Sequence, residues 1–250
     1  MALPRLRAAI LPLLGAFSIL ALWHGIVVGF GVPEYIAPTP ARVFQVFLTQ
    51  FPLIRENYWP TFLECVLGFT SGSLAGICVA ILFVHSRIIR TAYFPIAVFA
   101  NTIPILAIAP ILTLIFGIGF LPKMLVSAIV SFFPVLVNML RGLEALSPSE
   151  RELMHVLSAS RWEIFTKVRL PRSLPFLFSA LRIVSTTSVI GAIVGEWIGS
   201  DVGLGALIIQ SAFNYRAPLL YAAIFASSSL ALLQFGAVVL VEKRVIRWQG

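Results

Sequence analysis

The sequence predicts an all-α protein that crosses a membrane several times, and three observations support this fold class. Of its 250 residues, 59% are hydrophobic and only 11% are charged, whereas a soluble domain has about 45–50% apolar and about 25% charged residues. The apolar residues gather into six long blocks, and about 20 such residues let a helix cross the lipid. A barrel is excluded because its strands alternate over about ten residues, so the blocks are predicted to be helices.

Each block is predicted to form one transmembrane helix of a single membrane domain that covers residues 1–250. The predicted spans are residues 8–30, 59–84, 94–116, 121–140, 176–198 and 218–241. The first block follows Arg5 and Arg7 and is too long for the apolar region of a signal peptide, so it is predicted to be a retained span. The third block contains Pro95, Pro104 and Pro110, which predict kinks in its helix.

The distribution of positive charge predicts the orientation. The net charge is +8, and thirteen of the eighteen Lys and Arg residues fall in segments on the same side as the N-terminus. Cytoplasmic loops carry the excess of Lys and Arg, so both termini are predicted to be cytoplasmic. Four basic residues fall on the other side: Arg42, Arg55, Lys123 and Arg216. The charge is therefore attributed to membrane orientation and not to nucleic-acid binding.

Two connections between the predicted spans are long enough to hold structure of their own. Residues 31–58 lie on the outer side and contain an amphipathic stretch at 41–51, which is predicted to rest on the membrane surface. Residues 141–175 lie on the cytoplasmic side and place apolar residues at helical spacing among charged ones, which predicts an amphipathic helical pair. This pattern alone is equally compatible with a helix that lies on the bilayer.

The ends of the predicted cytoplasmic helices can be read from the sequence. Ser147 is a candidate N-cap, with Pro148 at the first helical position and Glu150 two residues further on. The small residues at 158–160 would let the chain bend between two short helices. Leu-Pro at 170–171 is predicted to stop the second helix before the next span begins.

Residues 152–171 carry a spaced motif. Glu152 is followed by Leu-Met, three further residues, Ser158, nine residues and then Val-Arg-Leu-Pro at 168–171. This run resembles the EAA loop of binding-protein-dependent ABC importer permeases, whose pattern is Glu-Ala-Ala, three residues, Gly, nine residues and Ile-x-Leu-Pro. The spacing is intact. Leu-Met replaces the two alanines and Ser158 replaces the glycine, which implies an altered packing of the turn.

The resemblance extends over most of the chain, from about residue 8 to the C-terminus. The segments at 33–40, 132–138 and 195–205 resemble the nitrate/sulfonate/taurine branch of these permeases. The resemblance implies a six-span, type I importer domain in a bacterial-type cytoplasmic membrane, working as a pair. It implies import of a sulfonate, taurine or nitrate. The runs Leu-Ser-Ala-Ser and Val-Gly-Glu-Trp also resemble permeases for pyrimidine thiamine precursors or riboflavin, and the choice stays open.

The resemblance also implies the partners and the residues that meet them. The loop is expected to dock as a helix in a groove of a cytoplasmic ATPase, with Trp162 as its anchor and with Glu152 supporting the loop or pairing with the ATPase. Expected partners are two ATPase subunits that hold ATP and Mg²⁺, a second permease copy in a homodimer, and an extracytoplasmic solute-binding protein. The coupling residues are Glu152, Ser158, Ala159, Ser160, Arg161, Trp162, Phe165, Val168, Leu170 and Pro171.

The sequence offers no nucleotide or metal site of its own. A P-loop needs a Gly-Lys pair, and none of the three lysines follows a glycine. His24, His85 and His155 lie far apart, and Cys65 and Cys78 fall in one apolar block, so no metal-ligand spacing appears. The chain is therefore predicted to bind no cofactor and to be a non-catalytic transport subunit.

Polar residues inside predicted spans are costly and often functional. For the hydroxyl-rich stretch at 185–188, one interpretation is a solute pathway and the other is close helix packing at a dimer interface. For Glu196, one interpretation is that it faces the outer vestibule and the other is that it caps the gate region. The candidate pathway residues are Asn101, Asn138, Ser185, Thr186, Ser188 and Glu196.

A secondary transporter is the alternative function. Such a protein is expected to show repeated half-chains and coupling carboxylates near the membrane midplane, and no internal repeat is visible here. An intramembrane enzyme would need a nucleophile with its base, or a metal constellation, within the spans.

Overall fold

Helices account for most of residues 3–246, which the computed structural model describes, with side chains from residue 11 onwards. The prediction of an all-α protein is confirmed, because no strand occurs between residues 3 and 246. The helices are α1 (Leu3–Gly29), α2 (Pro40–Thr49), α3 (Phe51–His85), α4 (Arg87–Asn101), α5 (Ile105–Phe116), α6 (Phe120–Glu144), α7 (Pro148–Val156), α8 (Arg161–Glu163), α9 (Leu170–Glu196), α10 (Leu204–Phe213) and α11 (Ala217–Val245), with a π-helical segment, Ile164–Arg169, between α8 and α9.

Five helical runs of residues 3–246 are long and apolar enough to cross a membrane singly. They are Leu11–Gly29, Phe51–His85, Phe120–Glu144, Arg161–Glu196 and Ala217–Val245. A sixth crossing requires α4 and α5 together, which are bent against each other by 99°. The six predicted spans are thus found as five continuous helical runs and one broken pair.

The third span departs from the prediction of one kinked helix. The α4 helix ends at Asn101, and α5 begins at Ile105 directly after Pro104. Proline has no backbone N–H to continue the helical ladder, and it disfavours helical geometry in the residue before it. Pro95 and Pro110 lie inside α4 and α5, so the break coincides with Pro104 alone.

Helix α6 lies at the centre of the bundle and packs against both α3 and α9. On α3, Gly68, Gly72 and Gly76 recur at every fourth position and face α6. A Cβ atom at Gly68 would lie 2.5 Å from Ser127 Cβ, and one at Gly76 would lie 2.7 Å from the Phe132 carbonyl oxygen. Small residues at this spacing let two helix backbones approach closely.

The fifth span begins much earlier than predicted. Helical structure runs without interruption from Arg161 to Glu196, through the π-helical segment. The prediction that Leu170-Pro171 stops a helix is wrong, because Pro171 occupies the first turn of α9 and Pro175 lies inside it. In the segment before Pro171, Leu170 N–H bonds the carbonyl of Phe165, five residues back. This wider turn accommodates a proline that cannot donate a hydrogen bond.

The amphipathic stretch predicted at 41–51 forms α2, capped by Thr39. Its buried Val43 packs into a cluster with residues of α10 and α11, while Phe44 and Leu48 stay exposed. Helix α1 contacts the bundle through Trp23, which stacks on Tyr221 of α11 at 5.6 Å between ring centroids. The location of α2 at a membrane surface remains a prediction.

Candidate functional site

The cytoplasmic loop begins as its sequence predicts, with a capping box at the start of α7. The Ser147 hydroxyl accepts a bond from Glu150 N–H, and Glu150 Oε2 accepts the Ser147 backbone N–H at 2.7 Å. The bonds that the Glu150 carboxylate accepts from the Ser147 backbone N–H and from the Ser147 hydroxyl, followed by the charge of Arg172, hold the pKa of Glu150 below its usual value. The ion pair with Arg172 also ties α7 to α9.

The turn after α7 explains the glycine of the EAA pattern. Ser158 adopts φ +50°, in the left-handed region. Its N–H bonds the His155 carbonyl at 2.9 Å, and Ala159 N–H bonds the Met154 carbonyl at 3.0 Å. These two bonds form a Schellman motif, in which the left-handed position is most often glycine. Ser158 therefore occupies the glycine position with glycine's backbone conformation.

A second capping box starts the next helix, two residues after Ser158. The Ser160 hydroxyl accepts Glu163 N–H at 3.2 Å, and Glu163 Oε2 accepts Ser160 N–H at 3.0 Å. The Ser160 backbone bond, followed by the bond from Lys167, lowers the pKa of Glu163 to about 2. The turn at 158–160 is thus fixed on both sides by hydrogen bonds within the loop.

The predicted coupling residues divide into an exposed group and an inward-facing group. Trp162 is 70% exposed, Glu152 and Arg161 are also exposed, and the neighbouring apolar side chains of Leu153, Val156 and Leu157 face outwards as well. Phe165 is only 7% exposed and belongs to the core of α3, α6 and α9. Between these extremes, the half-buried residues are Ala159, Val168, Leu170 and Pro171.

The candidate pathway residues do not converge on one site. Asn101 is exposed at the α4–α5 break, and the half-buried Asn138 donates from its amide to its own helix at the Pro134 carbonyl, 2.8 Å away. The hydroxyls of Ser185 and Thr186 donate to the carbonyls of Arg182 and Ile183 within α9. These six residues are therefore spread over several helices.

Close packing of the small residues on α9 takes place within the chain. The buried Ser188 accepts a bond from Gln234 of α11 at 3.1 Å. A Cβ atom at Gly191 would lie 2.9 Å from Ser127 Cα of α6, and one at Gly195 would lie 2.9 Å from Lys123 Cα. This face of α9 is thus covered by α6 and α11 of the same chain.

Glu196 belongs to a buried polar cluster that was not predicted as a unit. Its carboxylate accepts the Thr61 hydroxyl at 2.6 Å and Gly205 N–H at 2.6 Å. Glu64 lies beside it and pairs with Lys123 at 3.2 Å. The assignment of Lys123 to an outer loop is wrong, because it lies in α6 and is 6% exposed.

One signal in the sequence could have revealed the cluster. Asn57, Thr61 and Glu64 stand at i, i+4 and i+7, so three polar side chains share one face of an otherwise apolar helix. A polar stripe of this kind in a span indicates polar partners on neighbouring helices. The identity of those partners, Lys123 and Glu196, could not be read from the chain order.

Residues 72–247 match the family described as "Binding-protein-dependent transport system inner membrane component". A probable ABC transporter permease protein of Haemophilus influenzae is 35% identical over 91% of this chain and 93% of its own length. The formylaminopyrimidine transport permease protein ThiX of Halalkalibacterium halodurans is 29% identical over 96% of both chains. The riboflavin transport system permease protein RibX of Chloroflexus aurantiacus is 29% identical over 93% of this chain and 87% of its own.

The fold agrees with this family. A chain of the MetNI methionine ABC transporter in an inward-facing conformation superposes with a TM-score of 0.69 at 20% identity, covering 79% of this chain and 98% of that one. The expected type I importer fold is therefore confirmed. Together, the apolar helical bundle, the spaced loop and the relatives establish that the chain belongs to the binding-protein-dependent transport inner membrane component family and is the permease subunit of an ABC transporter.

Proposed function

We propose that this permease pairs with a second copy of itself to enclose a solute pathway and that residues 147–171 dock two cytoplasmic ATPase subunits. The observation that carries the proposal is the exposed apolar surface formed by Leu153, Val156, Leu157 and Trp162. A solvent-exposed apolar patch with charged residues around it is typical of a protein interface. Here it stands on a turn that two capping boxes hold in one conformation.

The two groups of coupling residues then have different tasks. Trp162, Arg161 and Glu152 make the contact with the ATPase, because these side chains are exposed. Phe165 is buried, so it transmits force to the bundle and does not touch the ATPase. Of the pathway candidates, the exposed Asn101 and the half-buried Asn138 and Thr186 are the side chains available to a solute.

ATP and Mg²⁺ belong to the ATPase partners in this proposal. The full sequence has no Gly-Lys pair with which to build a P-loop. The chain therefore acts as a non-catalytic subunit and contributes movement of its helices. An extracytoplasmic binding protein delivers the solute to it, as the family description implies.

Both termini are placed in the cytoplasm, on the same side as the docking loop. With the α4–α5 pair counted as one crossing, six crossings return the chain to its starting side. The charge asymmetry supports this orientation more strongly once Lys123 is removed from the outer loops, since it is buried.

The orientation is tested with single cysteines introduced at Ser149 and Tyr35. Whole cells that carry each variant are treated with a membrane-impermeant thiol reagent. Labelling at position 35 alone supports the orientation, and labelling at position 149 alone contradicts it.

The proposed solute is a small nitrogen heterocycle of the formylaminopyrimidine or riboflavin type. The permeases named for these solutes are each 29% identical to this chain. The second candidate is an aliphatic sulfonate, because the putative aliphatic sulfonates transport permease SsuC of Bacillus subtilis is 27% identical over 93% of this chain. The support for either solute comes from relatives and not from a solute-binding side chain.

The deciding experiment measures ATP hydrolysis by the permease reconstituted with its ATPase and one loaded binding protein at a time. Stimulation by a binding protein loaded with a heterocycle supports the proposal, whereas stimulation only by a sulfonate-loaded protein selects the second solute.

The docking role of the loop is tested by a variant of its exposed tryptophan. Trp162→Ala is expected to abolish co-purification of the ATPase. The matched control is Trp59→Ala, because Trp59 is 60% exposed on α3, far from the loop.

Transport by the purified chain in liposomes without ATP would instead favour a secondary transporter. Normal ATPase co-purification with Trp162→Ala would remove the docking role of the exposed patch.

A further inference from the structure

The break between α4 and α5 consists of exposed residues. Residues 101–104, from the end of α4 to the proline before α5, are all exposed. The hydrogen-bond ladder of α4 ends with the bond from Ile103 N–H to the Ala100 carbonyl at 3.3 Å. The first N–H groups of α5 have no partner within that helix, and its N-cap residue, Pro104, supplies no side-chain acceptor.

Contacts of the two helices place the break within the thickness of the membrane. On one side, Arg90 in the first turn of α4 pairs with Glu144, the last residue of α6. On the other side, Ala109 of α5 packs with Val126, close to the first residue of α6, and with Val194, close to the last residue of α9. Glu144 and Val126 are about 27 Å apart along α6, and the hydrocarbon is about 30 Å thick. The break therefore lies between the two membrane surfaces.

Lipid cannot cover a break of this kind. Hydrocarbon offers no hydrogen-bond partner, so irregular backbone at membrane depth occurs only where protein buries it or where it lines a water-filled cavity. Residues 11–246 of this chain do not bury the break, because residues 101–104 remain exposed among them. The remaining surroundings are a water-filled space or a second copy packed directly against the break.

The side chain of Asn101 favours water over direct packing. Asn101 is exposed, and its amide makes no hydrogen bond with any of residues 11–246. The neighbouring Thr102 hydroxyl, in contrast, donates to the Phe99 carbonyl at 2.7 Å. An amide without partners is costly away from water. A packed surface would have to match this amide and the first N–H groups of α5 together, whereas water satisfies them without a matched surface.

Helix α1 provides the contrast of a span that is suited to lipid. It is continuous from Leu3 to Gly29, and only 6% of its most apolar stretch is buried inside the chain. Its exposed hydroxyl, at Ser18, donates to the Gly15 carbonyl of the same helix at 2.8 Å. Exposure to lipid therefore leaves this hydroxyl and the interior backbone of α1 with partners, which is not the case at the α4–α5 break.

We infer that the α4–α5 break lines the water-filled solute pathway and that Asn101 is the polar side chain which α4 presents to it. The inference rests on the proposed function, in which a second copy encloses the pathway, and it assigns that pathway to one face of the permease. Of the three candidates available to a solute, Asn101 alone stands at irregular backbone, since Asn138 and Thr186 bond carbonyls of their own helices.

Cysteine labelling tests whether the break is in contact with water. Asn101→Cys and Ile103→Cys are introduced singly into a permease whose native thiols are removed by Cys65→Ala and Cys78→Ala. Each variant is purified with its ATPase, placed in lipid nanodiscs and treated with a charged methanethiosulfonate, which dissolves in water and not in hydrocarbon. Both break cysteines are expected to react at least about tenfold faster than a lipid-facing cysteine, because the reactive thiolate forms in water and not in apolar surroundings.

The matched control is Phe17→Cys in the same background. Phe17 is 70% exposed on the continuous helix α1 and lies about 9 Å along that helix from Trp23, which stacks on Tyr221 near the start of α11. It is therefore exposed at membrane depth without a break in its helix. A reaction of Phe17→Cys as fast as that of Asn101→Cys would contradict the inference.

Labelling is measured with and without ATP and Mg²⁺, so that both states of the transporter are sampled. Fast reaction of the break cysteines in either state, with a slow control, supports the inference. An intact complex in which neither break cysteine reacts in either state overturns it, as does a disulfide between two copies at position 101 without any labelling. A permease that is monomeric by light scattering would contradict the proposed pairing, whereas unreactive break cysteines in a dimer would contradict this inference alone.

Discussion

The ring of Phe165 lies edge-on against the imidazole of His85, with their centroids 4.8 Å apart. Phe165 stands in the π-helical segment that follows the coupling turn, and His85 is the last residue of α3. Trp162 reaches Phe165 from the exposed side, with ring centroids 5.9 Å apart. An exposed aromatic residue of the loop is therefore connected through a buried one to the end of a spanning helix.

Replacing Phe165 separates packing from docking. Phe165→Ala is expected to destabilise the permease by about 3–5 kcal/mol, because it empties a buried aromatic site. The measurement is thermal unfolding of the detergent-solubilised protein. Trp162→Ala is the control and is expected to change stability by no more than about 0.5 kcal/mol, since its side chain is exposed. Equal stability losses in the two variants would contradict this division.

Restoring the family glycine is expected to stabilise the turn. Ser158→Gly removes the steric cost of a left-handed residue and should raise stability by about 1 kcal/mol. Thermal unfolding of the complex with the ATPase measures this gain in stability. Ser160→Gly serves as the matched control, because Ser160 is an N-cap in extended conformation and gains nothing from glycine. A gain at position 160 and none at 158 would refute the strain assigned to Ser158.

The glycine face of α3 is expected to tolerate no enlargement. In Gly72→Ala the new Cβ atom would collide with the Ala128 carbonyl group of α6, so the two helices must separate at a cost of about 1–3 kcal/mol or more. Gly236→Ala in α11 is the control, because nothing lies within 4 Å of its Cβ position. Size-exclusion chromatography and thermal unfolding report the outcome. Normal behaviour of Gly72→Ala would show that α3 and α6 are not in this contact.

The second capping box is expected to be acid-sensitive. Glu163 has its pKa lowered from the ordinary 4.5 to about 2, so its stabilisation is fully present above about pH 4.5 and is lost as the pH falls towards 2. Hydrogen exchange at residues 160–164, compared with Glu163→Gln at each pH, measures the effect. The two proteins should converge at the acid end and differ at neutral pH. A constant difference across the range would exclude Glu163 ionisation as the cause.

Local patterns predicted the loop well, because its signals lie a few residues apart. The Ser147–Glu150 capping box and the bend at 158–160 appear in the structure as their residues indicated. The continuity of helices was predicted less well. Pro104 breaks the third span, whereas Pro171 does not break the fifth. The difference arises from backbone geometry, because a π-helical turn precedes Pro171.

The sequence by itself determined the membrane setting, the approximate spans and the coupling loop, because hydropathy and cap chemistry act over short stretches of chain. Only the tertiary structure decided which polar groups meet. It brought Lys123, at the start of α6, against Glu64 of α3, and it placed Phe165 inside the bundle while leaving Trp162 outside. These outcomes depend on the glycine contacts that bring α3, α6 and α9 together, and such contacts join residues that are far apart along the chain.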